Sequence, residues 1–331
     1  MEQLGDDNLI SICYKIDYRG DLKSFSEVSK QFLKAAYIRR WDLEVSFTGL
    51  LTDMLPASPN LSSFQCSKPL SNKHIKLLAQ SCPKLRTLRL TLEKNLDPKV
   101  DYESDFDDDG LCAVANAYSH LDIVSLDRRL RVGDVGVVSI LRSSKNITSL
   151  CLKGCVKVTD KSLKVIGEAT SLKLLNLGAC CLITDLGLKY LANGDLKNCL
   201  EILLLAKCDR ISDAGIIYLG QMVHLTALTL SKCGVNVTDS GISAISKIPN
   251  IERLVLSRLI NVTNTSLFDI ANNCLNLRVL DLSGCQAITS EGLRAFADHP
   301  TLSRLFLYGC CHISWGFFMY AKFHSFRMYW P

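Results

Sequence analysis

Several things are missing from this 331-residue chain, and each absence removes a class of function. No run approaches the roughly 18 uninterrupted apolar residues that a membrane-spanning helix needs. The opening Met1-Glu2-Gln3-Leu4-Gly5-Asp6-Asp7 has neither the basic start nor the apolar stretch of a secretion signal, so an intracellular protein, cytoplasmic or nuclear, is expected. Charge of one sign is not concentrated: 38 Lys and Arg stand against 33 Asp and Glu, giving a net charge of +5 without basic blocks. No affinity for nucleic acid follows from that balance. Glycine-rich phosphate loops are absent, and the six histidines, His74, His120, His224, His299, His312 and His324, have no Ser or Cys motif arranged around them. This argues against an enzyme, with Cys151 as the one conceivable reactive thiol.

What the chain does have is a repeat. From Ile147 it recurs about every 26 residues, with successive starts at Leu172, Leu200, Leu225, Ile251, Leu277 and Leu302 and the frame L-x-x-L-x-L-x-x-C-x-x-[IV]-[ST]-D. Such a period marks a leucine-rich-repeat solenoid, in which one strand and one helix per unit bury their apolar faces only by stacking on neighbours. The expected fold is α/β, a horseshoe arc with parallel strands on the concave side and helices on the convex side. Less regular repeats start at Leu61, Leu85 and Leu121, which makes Ile147 the start of the fourth repeat and Leu302 of the tenth. Three domains or segments are expected: a helical domain over 1–45, the solenoid over 46–314 and an aromatic cap or tail over 315–331.

Of the 15 cysteines, Cys155, Cys180, Cys208, Cys233, Cys285 and Cys310 share one frame position, three residues after the last strand leucine. Stacking places them roughly 4.8 Å apart as a ladder of buried thiols with weak S–H donors. No Cys-x-x-Cys pair occurs, and Cys310-Cys311-His312 with His299 matches no zinc spacing, so neither metal nor cofactor is expected. Thr159-Asp160, Thr184-Asp185, Ser212-Asp213 and Thr238-Asp239 precede helical stretches, which reads the recurrent Asp as a helix cap rather than a catalytic acid. The acidic insertion 97–109, with Asp97, Asp101, Glu103, Asp105, Asp107, Asp108 and Asp109, reads as a solvated loop; a calcium site or an acidic docking loop are the alternatives.

The first 45 residues lie outside the repeat and form three short helical pieces too small to stand comfortably alone. Leu4-Gly5-Asp6-Asp7-Asn8-Leu9-Ile10-Ser11-Ile12 resembles the opening of an F-box, and Asp21-Leu22-Lys23-Ser24-Phe25-Ser26-Glu27-Val28-Ser29-Lys30-Gln31-Phe32 resembles its second half. Gly5 stands where that family prefers Pro, and Ser29 where Cys is usual. With the cysteine-containing repeats, the chain resembles the F-box/leucine-rich-repeat proteins, substrate receptors of SCF ubiquitin ligases. The resemblance implies a non-catalytic bridge: the F-box binds a Skp-type adaptor that joins a cullin scaffold, and the repeats hold a protein for ubiquitin transfer. Adaptor contacts then fall on Leu4, Leu9, Ile12, Leu22, Val28 and Phe32, several of which would also serve to pack the small domain on itself. The alternative is a leucine-rich-repeat binder or inhibitor with no ligase role.

On the concave side, the residue before the ladder slot is Lys207, Lys232 and Arg258 in three consecutive repeats, with Lys153 one place earlier in its own repeat and Arg128 at the matching place in the third. Leu204, Val255, Phe306 and Tyr308 are expected beside them. Cations next to large apolar groups suit an acidic or phosphorylated protein segment; a solvated face with cations there by chance is the plainer reading.

Overall fold

The computed structural model describes residues 5–16, 19–46, 48–93, 104–314 and 327–329. It divides into two compact units, 1–147 and 148–331, each of which is taken in turn.

In the first unit three helices come before the sheet: α1 (Asp6–Tyr14), α2 (Arg19–Ser26) and α3 (Lys30–Ile38). Gly5 precedes α1 in extended backbone, and Ser29 caps α3 by accepting the Phe32 N–H at 3.3 Å. Leu9 and Cys13 of α1 and Ala35, Ala36 and Tyr37 of α3 are buried, and the Arg39 guanidinium donates to the carbonyls of Cys13 and Ile16. Four parallel strands follow, β1 (Asp42–Val45), β2 (Ser63–Cys66), β3 (Thr87–Arg89) and β4 (Ile123–Ser125), each paired with the next. The sheet therefore starts at Asp42, inside the stretch expected to belong to the helical domain. Between and after the strands lie α4 (Leu51–Met54), α5 (Asn72–Ser81), α6 (Asp108–Ala117) and α7 (Asp134–Ser143).

Among its described residues the second unit carries eight strands, β5 (Ser149–Cys151), β6 (Leu174–Asn176), β7 (Ile202–Leu204), β8 (Ala227–Thr229), β9 (Arg253–Val255), β10 (Val279–Asp281), β11 (Arg304–Phe306) and β12 (Arg327–Tyr329). All neighbours pair in parallel, in chain order. Helices α8 (Asp160–Ile166), α9 (Asp185–Asn193), α10 (Asp213–Leu219), α11 (Asp239–Ser246), α12 (Asn264–Asn273) and α13 (Ser290–Leu293) separate them. The central strand leucines, Leu150, Leu175, Leu203, Leu228, Leu254, Leu280 and Leu305, are paired in register and buried, each contributing about 2 kcal/mol of apolar burial. Within the expected aromatic cap or tail, Arg327–Tyr329 forms a strand, and 315–326 and 330–331 lie outside the described residues.

Two ladders lock the repeats. The buried thiols of Cys180, Cys208, Cys233, Cys285 and Cys310 donate to the carbonyls of Leu152, Leu177, Leu205, Leu256 and Leu282, the last strand leucine of the preceding repeat, at 3.1 to 3.2 Å. The second ladder corrects the reading of the recurrent Asp as a cap. The caps are Thr159, Thr184, Ser212 and Thr238, whose oxygens accept from N–H groups two residues on. Asp160, Asp185, Asp213 and Asp239 instead reach forward, each accepting both the N–H and the hydroxyl of the next repeat's cap at 2.6 to 3.0 Å. Gly215 makes room for this, since a Cβ there would overlap Asp185 Oδ1.

In the third repeat Arg129 occupies the ladder slot. Its Nε donates to the Leu90 carbonyl at 2.7 Å, the bond a thiol makes elsewhere. The rest of the guanidinium reaches Asp105 at 2.7 Å and the carbonyls of Cys66 and Lys68 at 3.2 and 3.1 Å, over the Phe106 ring. Asp107 caps α6 and pairs with Arg131, and Asp108 accepts the Gly133 N–H at 2.7 Å. Thus the end of the acidic insertion is structural, contrary to the solvated loop expected; its start, 97–103, lies outside the described residues.

Removing the guanidinium leaves the buried Asp105 carboxylate without its cation and takes one donor from each of three carbonyls. Arg129→Ala should cost about 3–5 kcal/mol in urea unfolding, whereas Arg131→Ala, at a part-exposed pair, should cost under about 1 kcal/mol. The ladder thiols give a second expectation. Burial pushes Cys208, Cys233 and Cys285 up to about 12. Because the folded value lies above the unfolded one, the stabilisation is complete below about pH 8.5 and is lost as pH rises past it. Melting temperature in reducing buffer should fall steeply above about pH 9, and in native protein a thiol reagent should label exposed Cys181 and Cys311 well before the ladder.

Candidate protein-interaction site

Two surfaces remain once the ladders are accounted for. On the helical segment the six expected adaptor residues separate. Leu9 is wholly buried and packs the segment on itself, so it offers no surface; this corrects its expected role. Ile12 and Val28 are 41% and 64% exposed, large apolar side chains facing solvent. Phe32 is half-buried with its ring 4.7 Å from that of Phe25. Leu4 and the side chain of Leu22 lie outside the described residues. Near them Asp6 accepts from Gln31 at 2.9 Å and pairs with Lys34, interactions that hold its carboxyl below the usual carboxylate range.

On the second unit's sheet, the residues flanking each central leucine point away from the core. Strand register lines up Cys151, Asn176, Leu204, Thr229, Val255, Asp281, Phe306 and Tyr329. Leu204, Val255 and Phe306 therefore share one row, as expected. Phe306 stacks on Tyr329 at 4.5 Å, and Tyr308, 46% exposed, stands beside it. Asp281 is the row's one acid, tied to its own turn by accepting the Ser283 N–H at 2.9 Å.

Just beyond the strands lie Lys207, Lys232 and Arg258, exposed and without an acidic partner among the described residues. Lys153, also exposed, has its Cγ 3.6 Å from where a Cβ on Gly178 would sit. Lys207, Lys232 and Arg258 have φ of 65°, 58° and 61°, and Arg128 in the first unit has 66°. This left-handed backbone costs a residue with a Cβ roughly 1 kcal/mol. The same slot holds Gly154, Gly284 and Gly309 in other repeats, where it is free of that cost. Recurrence of glycine in this slot was the sequence signal for the strain, and reading the cations only as a charged column missed it. Also missed were Arg253, Arg304 and Arg327, paired in register through Val279 on the same strand face, because strand partners more than 20 residues apart are not visible as a cluster in sequence. Arg258 and Tyr308 line a common cavity of about 510 Å3 with Ser257, Ser283, Gly284 and Gln286.

The residues suspected of metal binding are otherwise engaged or scattered. Cys310 is in the ladder, His299 Nδ1 accepts the Leu302 N–H at 3.1 Å, and Cys311 is exposed. Among the described residues no three His, Cys, Asp or Glu side chains are grouped as a metal site, and no helix is long and apolar enough to cross a membrane.

Parallel strands linked by helices, the leucine frame and the ladders define a leucine-rich-repeat protein, a protein-interaction module, and the leucine-rich-repeat family model matches residues 168–192 and 273–297. The chain is similar to F-box/LRR-repeat protein 17 of Arabidopsis thaliana, 27% identical over 257 residues, 73% of this chain and 39% of that protein. F-box/LRR-repeat protein 4 of Bos taurus is 25% identical over 222 residues, 64% of this chain and 29% of that one. A putative RNA-binding protein of Caenorhabditis elegans is 24% identical over 204 residues, 59% of this chain and 27% of that one. The chain spans well under half the length of these relatives. Among solved structures, Rad7 from its yeast complex with Elc1 matches with a TM-score of 0.55 at 14% identity, covering 98% of this chain and 92% of that one, a likeness of fold alone.

The glycine that departs from the F-box pattern already has φ −62° and open space where a side chain would begin. Proline takes that φ, so Gly5→Pro should raise thermal stability by about 0.5–1 kcal/mol, read by circular dichroism melting.

Proposed function

We propose that this chain is the substrate-recognition subunit of an SCF-type ubiquitin ligase, acting in the cytoplasm or nucleus. Its helical segment binds a Skp-type adaptor that joins a cullin scaffold, and the exposed face of its repeat sheet holds the protein to be ubiquitinated. The chain performs no bond chemistry; it raises the local concentration of a substrate near an enzyme that does. The observation that carries this reading is the pair Ile12 and Val28. These two are solvent-facing on a segment that already has a buried set of its own in Leu9, Cys13, Ala35 and Ala36. Apolar side chains left over after a small domain has packed suit a partner. The names of two relatives support the same assignment.

Burial of Leu9 favours weighing a second reading, a repeat binder with no ligase role, because it removes one of the six expected adaptor contacts. The two readings share the sheet and part at the helical segment. Co-expressed with a Skp-type adaptor, the whole chain should be retained by affinity capture and elute with it. Ile12→Asp with Val28→Asp should abolish capture without loss of the melting transition, since both sites are exposed. A folded wild-type chain that captures no adaptor leaves the plain binder.

A further inference from the structure

We propose that the open face of β10, β11 and β12 binds the free C-terminal carboxylate of a protein whose last residue is apolar. This deepens the proposed function by naming a substrate class; it rests on the repeat sheet holding a protein partner, and does not depend on the adaptor.

The first argument is charge left uncompensated. Arg304 and Arg327 are direct partners on neighbouring parallel strands, roughly 4.8 Å apart. Arg253 follows in the same row with only Val279 between. Like charges side by side repel. All three arginines are exposed, and none has an acidic partner among the described residues, although Arg278, just before β10, pairs with Glu252. Neither core packing nor internal pairing accounts for them. Two guanidinium forks set side by side can serve both oxygens of one planar carboxylate.

The second argument is what stands beside that charge. Two residues further along each strand, roughly 7 Å on, Phe306 and Tyr329 stack at 4.5 Å with their planes 11° apart. Tyr308, 46% exposed, extends this wall with its ring 6.5 Å from that of Phe306. At a chain end the carboxylate and the last side chain leave the same carbon. An anion held on the arginine row therefore lays an apolar side chain on the aromatic row. An internal Asp or Glu spends its side chain on the charge and has nothing of its own for the aromatic row. Aromatic rings next to arginine are also the composition that concentrates binding energy at protein interfaces.

The third argument is Asp281, which lies between Val255 and Phe306 in that second row and gives one oxygen to the Ser283 N–H. It stands diagonally across from Arg304, placed to accept a peptide N–H of the bound chain and to repel a second anion. That disfavours a polyanion. Single-stranded RNA needs free stacking faces and an unbroken cationic track, whereas Phe306 and Tyr329 turn one face each on the other and Asp281 interrupts the row.

The test uses the full chain and four fluorescent probes. They are a degenerate peptide pool ending in Leu or Phe with a free carboxylate, the same pool amidated with one internal Glu to restore the charge, a free-acid pool ending in Gly, and oligouridylate. At low salt the first pool should bind at least about tenfold tighter than the amidated one and several-fold tighter than the Gly-ended one, weakening with salt. Arg304→Gln with Arg327→Gln should remove about tenfold or more of that binding, while the melting temperature stays level or rises because a like-charge pair is gone. Lys164→Ala, on an exposed helix face, should change nothing. No binding of the first pool, equal binding of the free and amidated pools, indifference to the last residue, unchanged binding by the glutamine variant, a fall in its melting temperature, or preference for oligouridylate would each overturn the proposal. Adaptor capture on the same preparation reports the ligase reading separately, so a chain that captures adaptor and ignores free carboxylates rejects only this inference.

Discussion

Where each repeat leaves its strand, a main-chain carbonyl is turned into a dry interior and must find a donor. A buried carbonyl without one costs on the order of 1–3 kcal/mol, and the problem recurs at every turn. Five thiols solve it with the smallest donor available, one repeat reaching back to the one before. Arg129 solves it in the third repeat and does more, because a guanidinium has donors to spare. Those extra donors bind carbonyls still further back and the carboxylate of Asp105. The insertion is thereby fastened at its far end to the same seam that closes the stack.

The ladders and the candidate surfaces use different side chains. Thiols, cap hydroxyls and forward-reaching carboxylates are consumed between repeats, whereas Ile12, Val28, Lys207, Lys232 and Arg258 contribute to neither ladder. Recognition residues can then change without touching the bonds that hold the repeats together. That division is the physical basis for placing binding on this scaffold.

Much of the fold was legible because stacking writes itself into the sequence as a period. The leucine frame gave the strands, and the recurrent cysteine gave the thiol ladder. What stayed hidden has its partner a repeat away. Asp185 looks like a cap beside Ser or Thr, and only the fold places Ser212 against it. Asp105 looks solvated amid acidic neighbours until Arg129 is seen to cover it. Strands Asp42–Val45 and Arg327–Tyr329 were missed because neither carries the full leucine frame and each exists by pairing with a neighbour. At the helical segment, apolar spacing named Leu9 and Ile12 alike, and burial separates them.

The eighth repeat departs from both ladders. Leu259 stands in the thiol slot and has no S–H to give, and Asn264 replaces the forward-reaching Asp, so its two bonds to Thr289 are neutral. Neutral hydrogen bonds contribute about half of what charged ones do. The stack is thus mechanically uneven, with a soft joint on either side of one unit. Between the seventh and eighth repeats the thiol bond is gone, and between the eighth and ninth the charge is gone.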